Sequence, residues 1–76
     1  MNEIVIMNDG SVYINDELLN ITDMSVIENS IFNLPDNEGS IILSAHSESL
    51  HIWVISVMDI LNKYGFDEVQ IRTIEK

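Results

Sequence analysis

His46 and His51, with the serines and acids around them, are the residues of this chain whose types could support chemistry. Imidazole is a common metal ligand and an acid–base group near neutral pH. The stretch Ser44-Ala45-His46-Ser47-Glu48 also places hydroxyl, imidazole and carboxylate close together. Sequence neighbours do not assemble a Ser-His-Asp triad, however, and no Gly-x-Ser-x-Gly elbow is present. The step of five from His46 to His51 matches no standard ligand spacing, and there is no cysteine to complete a site. Two surface histidines, with serines in turn and capping positions, are the plainer reading. The glycines Gly10, Gly39 and Gly65 are isolated, so no phosphate-cradling loop is expected. The acid pairs Asp36/Glu38 and Asp67/Glu68 fall in turns or at strand starts and read as solvated charge. Asn20-Ile21-Thr22 is a chance match to the glycosylation triplet. No catalytic residue, metal ligand or cofactor is assigned, and the chain is not read as an enzyme.

The elements that carry these residues follow from hydrophobic periodicity. Glu3 to Met7 is an apolar β run, and Ser11 to Asn15 alternates with Val12 and Ile14 on one face. Asn8-Asp9-Gly10 between them is a hairpin turn, because these residues tolerate positive φ. Asn15-Asp16-Glu17 reads as a second turn, leading through Leu18 and Leu19 towards a helix. That helix starts at Thr22 or Asp23, although Ser25 to Glu28 also fits a capping box. Met24, Ile27, Ile31 and Leu34 give it one apolar stripe, and Pro35 stops it. Asp36 to Gly39 is the following loop. Ile41-Ile42-Leu43 within Ser40 to Ala45 suits an interior strand. Ser47-Glu48-Ser49 supplies caps for a second helix, roughly Leu50 to Tyr64. On it Leu50, Trp53, Val54, Val57, Met58, Ile60, Leu61 and Tyr64 fall within about 160°. His51, Ile52, Ile55, Asp59, Asn62 and Lys63 fall opposite. Gly65 is a natural residue to end that helix, and Glu68 to Ile74 alternates as a final half-buried strand.

The expected architecture is therefore α+β. It has the order β-β-α-β-α-β, as a two-layer sandwich of a mixed four- or five-stranded sheet with two helices on one face. One feature on the second helix asks for a partner. Ile52 and Ile55 project from its polar face beside His51 and Asp59, where apolar side chains form a contact for a second subunit or another protein. Scattered exposed apolar residues are ordinary, so simple tolerance is the competing reading. An open sheet also leaves edges that invite strand addition.

Composition narrows the class of partner. The 76 residues allow one small domain, 1–76, with a thin stability margin. With no cysteine, self-association is the stabilising device left open. Thirteen Asp and Glu against three Lys and Arg give a net charge of −10, which repels nucleic acid and anionic lipid. A nucleic-acid mimic would need carboxylates arrayed along one face, whereas these are spread over loops and caps. At 46% hydrophobic the chain is too apolar for a disordered acidic tail. The longest apolar run, Ile52 to Ile55, is far short of the roughly 20 residues of a membrane helix. Met1-Asn2-Glu3 has no cationic region of the kind that opens a signal peptide. At face value this describes a cytosolic protein, or a soluble domain cut from a longer anchored chain.

The second half resembles the periplasmic domain of the ExbD/TolR family of biopolymer transport proteins. The residues that carry the likeness are Ile41 to His46, His51, Val54 to Asp59, Tyr64-Gly65-Phe66 and Val69-Gln70-Ile71. In the family the first strand of this stretch ends in Ala-Asp, a Tyr follows, the helix contains Val-Met-Asp, and Ala-Gly precedes a closing strand. Val12 to Glu17 is similar to the family's short strand and Asn-Gly turn. The likeness spans about residues 3 to 74, and its Met58-Asp59 wording is closer to the ExbD branch. Four positions depart from the pattern: His46 stands for Asp, His51 for Tyr, Asp16 for Gly and Tyr64 for Ala.

The resemblance implies a non-enzymatic periplasmic domain of an inner-membrane-anchored subunit in a Gram-negative bacterium. That subunit pairs with an ExbB-like channel through a membrane helix not contained in these residues. The helix carries the proton-bearing Asp, and Asp59 is not that residue. The resemblance further implies a homodimer that engages a periplasmic segment of a TonB-like protein, using the proton-motive force for outer-membrane import. On the TolR branch it implies the Tol-Pal system and peptidoglycan instead. A small-ligand or metal-binding α+β module centred on His46 and His51 is the alternative of a different class.

Overall fold

Alternation sends one side of each early strand inward. In β1 (Glu3–Ile6) Ile4 and Ile6 are buried, and in β2 (Ser11–Ile14) Val12 and Ile14 are, so Val5 and Tyr13 take the opposite face. The computed structural model describes residues 1–35 and 38–75, and the expected loop residues Asp36 and Asn37 lie outside them. β1 and β2 pair antiparallel across Asn8-Asp9-Gly10. Asp9 Oδ1 accepts the Ser11 N–H at 2.9 Å, and this backbone bond is the main reason its carboxyl is held below the usual value. Gly10 takes φ +90° there.

The chain then makes a third strand, β3 (Glu17–Asn20), where the sequence pointed only to an approach to a helix. Leu18 and Leu19 alone carry no alternation to read. The strand arises because Asn15, at φ +54°, turns the chain back onto β2 in register from Ser11↔Asn20 to Ile14↔Glu17. The order is thus β-β-β-α-β-α-β, and the five-stranded form of the expected sheet is the one realised.

α1 (Met24–Phe32) buries Ile27 and Ile31 of its predicted stripe, with Met24 and Leu34 half-buried beside them. Asp23 precedes it without a side-chain capping bond, and Ser25 lies inside the helix. β4 (Ser40–His46) then enters the sheet, and α2 (His51–Lys63) returns over it. Serines do not cap α2: its first flanking residue is Leu50, which is 56% exposed and not on the core face. Ser49 turns back instead, its N–H and its Oγ both donating to the His46 carbonyl, at 2.9 and 2.8 Å. At the other end Phe66 N–H reaches Leu61 O at 3.0 Å and Gly65 N–H reaches Asn62 O at 3.2 Å. This paired pattern closes a helix on a left-handed residue, and Gly65 supplies it at φ +89°.

β5 (Glu68–Ile74) completes the sheet in the order β3-β2-β1-β4-β5, with β1–β4 and β4–β5 parallel. Both helices pack on the face bearing Ile4, Ile6, Val12, Ile14, Ile41 and Leu43, closing one core with Val57, Leu61 and Phe66. The helices are joined to each other by Glu28. Its Oε2 accepts the Tyr64 hydroxyl and pairs with Lys63 Nζ, each at 2.6 Å. Tyr64 also meets the Phe32 ring edge-on at 5.4 Å between centroids.

Candidate functional site

The site is built on the strand at the edge. β5 pairs with β4 on one side, and no described strand lies on the other. Its ladder is anchored at both ends: Glu68 N–H donates to Gly39 O, and Ser47 N–H donates to Ile74 O, each at 2.8 Å. In a parallel ladder alternate residues turn both backbone groups to the same neighbour. Glu68, Gln70, Arg72 and Ile74 therefore bond to β4. Val69, Ile71 and Thr73 direct their N–H and C=O groups outward, as a template for another strand.

The side chains of those three residues point to the helix layer, which half-buries Val69 against the core and leaves Ile71 and Thr73 exposed. Ile71 is 53% exposed, although the alternation suggested a half-buried position. The reason is geometric. α2 buries Val57 and Leu61, and its flank with Val54 and Met58 leaves a groove against β5. The groove encloses about 480 Å³ between Ala45, Val54, Met58 and Ile71, with His46, His51, Arg72 and Thr73 at its polar margins. A second concavity follows towards the strand's start, lined by Met58, Asp59, Phe66, Asp67 and Val69. A third lies at that start, among Met1, Ser40, Ile41 and Glu68. The edge strand is thus bordered by concave surface along its length.

Of the four residues singled out on α2, two line this border, His51 and Asp59. His51, Ile55 and Asp59 are successive residues at intervals of four, stacked on one side of the helix. His51 lines one of these concavities and Asp59 the next, whereas Ile55, between them on the helix and 39% exposed, lines neither. Ile52 does not reach the border either. It lines none of these concavities and is 60% exposed. His46 corrects the expectation of two surface histidines, being only 8% exposed, whereas His51 is exposed as expected. His46 Nδ1 accepts the Glu48 N–H at 3.0 Å, which makes His46 the anchor of the β4–α2 turn.

Sequence reasoning missed Ile71, Thr73 and the groove. The alternation of Val69, Ile71 and Thr73 was visible, but nothing local says which strand ends at an edge. Among the described residues no group of three or more His, Asp or Glu is placed to hold a metal ion. No described helix is long and apolar enough to cross a membrane. No family model matches this chain, and no curated protein matches it.

Proposed function

We propose that this chain is a non-enzymatic periplasmic coupling domain like that of ExbD, part of a proton-motive-force-driven TonB–ExbB–ExbD-type complex. Its role in that reading is to receive an extended segment of a TonB-like protein. The observation that carries the proposal is the outward-facing backbone of Val69, Ile71 and Thr73 beside the apolar groove under α2. Strand addition to such an edge takes affinity from main-chain bonds and specificity from pockets for alternate side chains. The β-α-β-α-β succession from β3 to β5 accords with the sequence resemblance. The surplus of acid favours a basic segment, because opposite charge speeds and orients encounter. The same edge can pair with a second copy, which is the route to the expected homodimer. The TolR-like role, with peptidoglycan as a partner, is the alternative that the resemblance implies.

The test is a titration of isotope-labelled domain with a TonB-type periplasmic peptide. Shifts concentrated at the amides of Val69, Ile71 and Thr73, and at α2 residues facing the groove, are expected. Unchanged amides along β5 would overturn the proposal.

A metal-binding module is the second reading, favoured by one observation: His46 and His51 line the same groove. Melting the domain with Zn²⁺, Ni²⁺ and Cu²⁺ reads it directly, and an unmoved transition disposes of it.

A further inference from the structure

Resting on the reading of the β5 border as a docking surface, we propose that this border selects its partner through two neighbouring subsites of opposite chemistry. One, beside Ile71, takes an apolar side chain, and the other, beside Val69, takes a Lys or Arg. The partner is then an extended segment that presents an apolar and a basic side chain two residues apart. The argument begins with pitch. Val69 and Ile71 are alternate residues of β5, so their side chains share a face about 6.6 Å apart. Alternate side chains of an added strand fall on that face at the same interval. Each of these two residues therefore has one guest side chain beside it.

The two guest side chains meet different surroundings. Beside Ile71 lie Ala45, Val54 and Met58, with His51, Arg72 and Thr73 at the margin. Among the described residues no carboxylate lines this part, and the Arg72 cation repels a second one. Beside Val69 the floor is Met58 and Phe66, and the walls carry Asp59 and Asp67 with no lysine or arginine. The carboxylates come from separate elements, Asp59 from α2 and Asp67 from the residue before β5. They meet because α2 runs back along the strand, which sets its later turns beside the strand's start. Lys and Arg lay an aliphatic stem on apolar surface while the charged head stays with acids and water. An apolar floor with two acids above it suits both parts of such a side chain. Both acids are exposed, so the pairing contributes selectivity more than affinity. A net charge of −10 attracts cations to the whole surface, so a test must separate this place from that general field.

The experiment titrates isotope-labelled domain with ten-residue peptides rich in Thr and Val, centred on Leu-x-Lys or Lys-x-Leu. A guest antiparallel to β5 reads the subsites in the first order, and a parallel guest in the second. In one of the two orders, changing the peptide's Lys to Gln is expected to weaken Kd by about two- to fivefold, the range of a partly exposed ion pair. Changing its Leu to Ser is expected to weaken Kd by about tenfold. The Lys-to-Gln difference is expected to vanish in Asp59→Asn/Asp67→Asn. It is expected to persist in Asp16→Asn/Asp23→Asn, which removes the same charge beside β3, at the other edge of the sheet. Asp59→Asn alone, at an exposed helix position, is expected to remove part of the difference and does not rely on the double variant folding. A difference that survives at the β5 acids, or that disappears equally in the β3-side variant, overturns the subsites. Neutral and cationic peptides that move the Val69, Ile71 and Thr73 amides with equal affinity leave the docking reading standing and overturn the subsites alone. If no peptide moves those amides, the docking reading fails and the subsites fail with it.

Discussion

At the scale of single residues, conformation and hydrogen bonding set the constraints. Gly65 ends α2 at φ +89° with no atom within 4 Å of where a Cβ would lie. Gly65→Ala should therefore cost only the backbone strain, about 1–2 kcal/mol, read as a lowered midpoint in urea. Gly10 has φ +90° and, in addition, Ile21 Cγ2 at 3.1 Å from that position. Gly10→Ala should cost more than Gly65→Ala, and equal costs would contradict this account. The Glu28 carboxyl is held below its ordinary 4.5, first by the Lys63 hydrogen bond and then by Tyr64. Lys63 and Tyr64 are raised above 10.5 and 10.0 by the same carboxylate. A depressed acid stabilises above its unfolded value and ceases to as pH falls through the folded one. A raised lysine or tyrosine stabilises below its unfolded value and ceases to as pH rises through the folded one. The melting difference between the native chain and Glu28→Gln should thus be largest from about pH 5 to about pH 9, shrinking at both ends. A pH-independent difference would remove the cluster from the account. Gly65 and the turn at Gly10 were legible from the sequence because each is a local backbone demand. The Glu28 cluster was not, since it joins residues more than thirty positions apart.

At the scale of elements, the parity of β5 makes a sharp expectation. Thr73 N–H points away from β4, so Thr73→Pro removes an outward donor while leaving the ladder intact, and proline is tolerated on an edge strand. This variant should fold with little change in melting temperature and lose about tenfold in affinity for a strand-adding peptide. Arg72→Pro deletes a donor turned towards β4 and should instead destabilise the domain by about 1–3 kcal/mol. If both variants behave alike, the assignment of inward and outward residues is wrong. On α2 the apolar stripe was legible from the sequence, and Val57 and Leu61 are indeed buried. Leu50 was not, because the chain is still outside the helix there and its side chain has no layer to enter. β3 was hidden for a related reason: four residues with only two leucines become a strand through the hairpin that returns them to β2.

At the scale of the whole molecule, one core serves both layers, and the margin is small. Leu61 is fully buried among residues of that core. Leu61→Ala should cost about 2–5 kcal/mol, enough to unfold a domain near the low end of the usual 5–15 kcal/mol, and retained cooperative melting at the native midpoint would contradict it. The monomer's radius of gyration is 11.1 Å over its Cα atoms. Sedimentation and small-angle scattering at rising concentration should show a larger, dimeric species, more readily at high salt, where the repulsion between two copies of charge −10 is screened. A particle of monomer size at every concentration would leave the β5 edge to another protein. By itself the sequence determined the type of most elements and the apolar side of those it foresaw, and it singled out His51 and Asp59, which line concavities beside β5. These follow from periodicity and turn chemistry, which act within a few residues. Only the tertiary structure decided that β5 is an edge, that α2 stops short of Ile71, that Ile52 and Ile55 line no concavity and that His46 is buried and bonded. Each of these depends on which strand lies beside which, and strand order is settled by packing between distant parts of the chain.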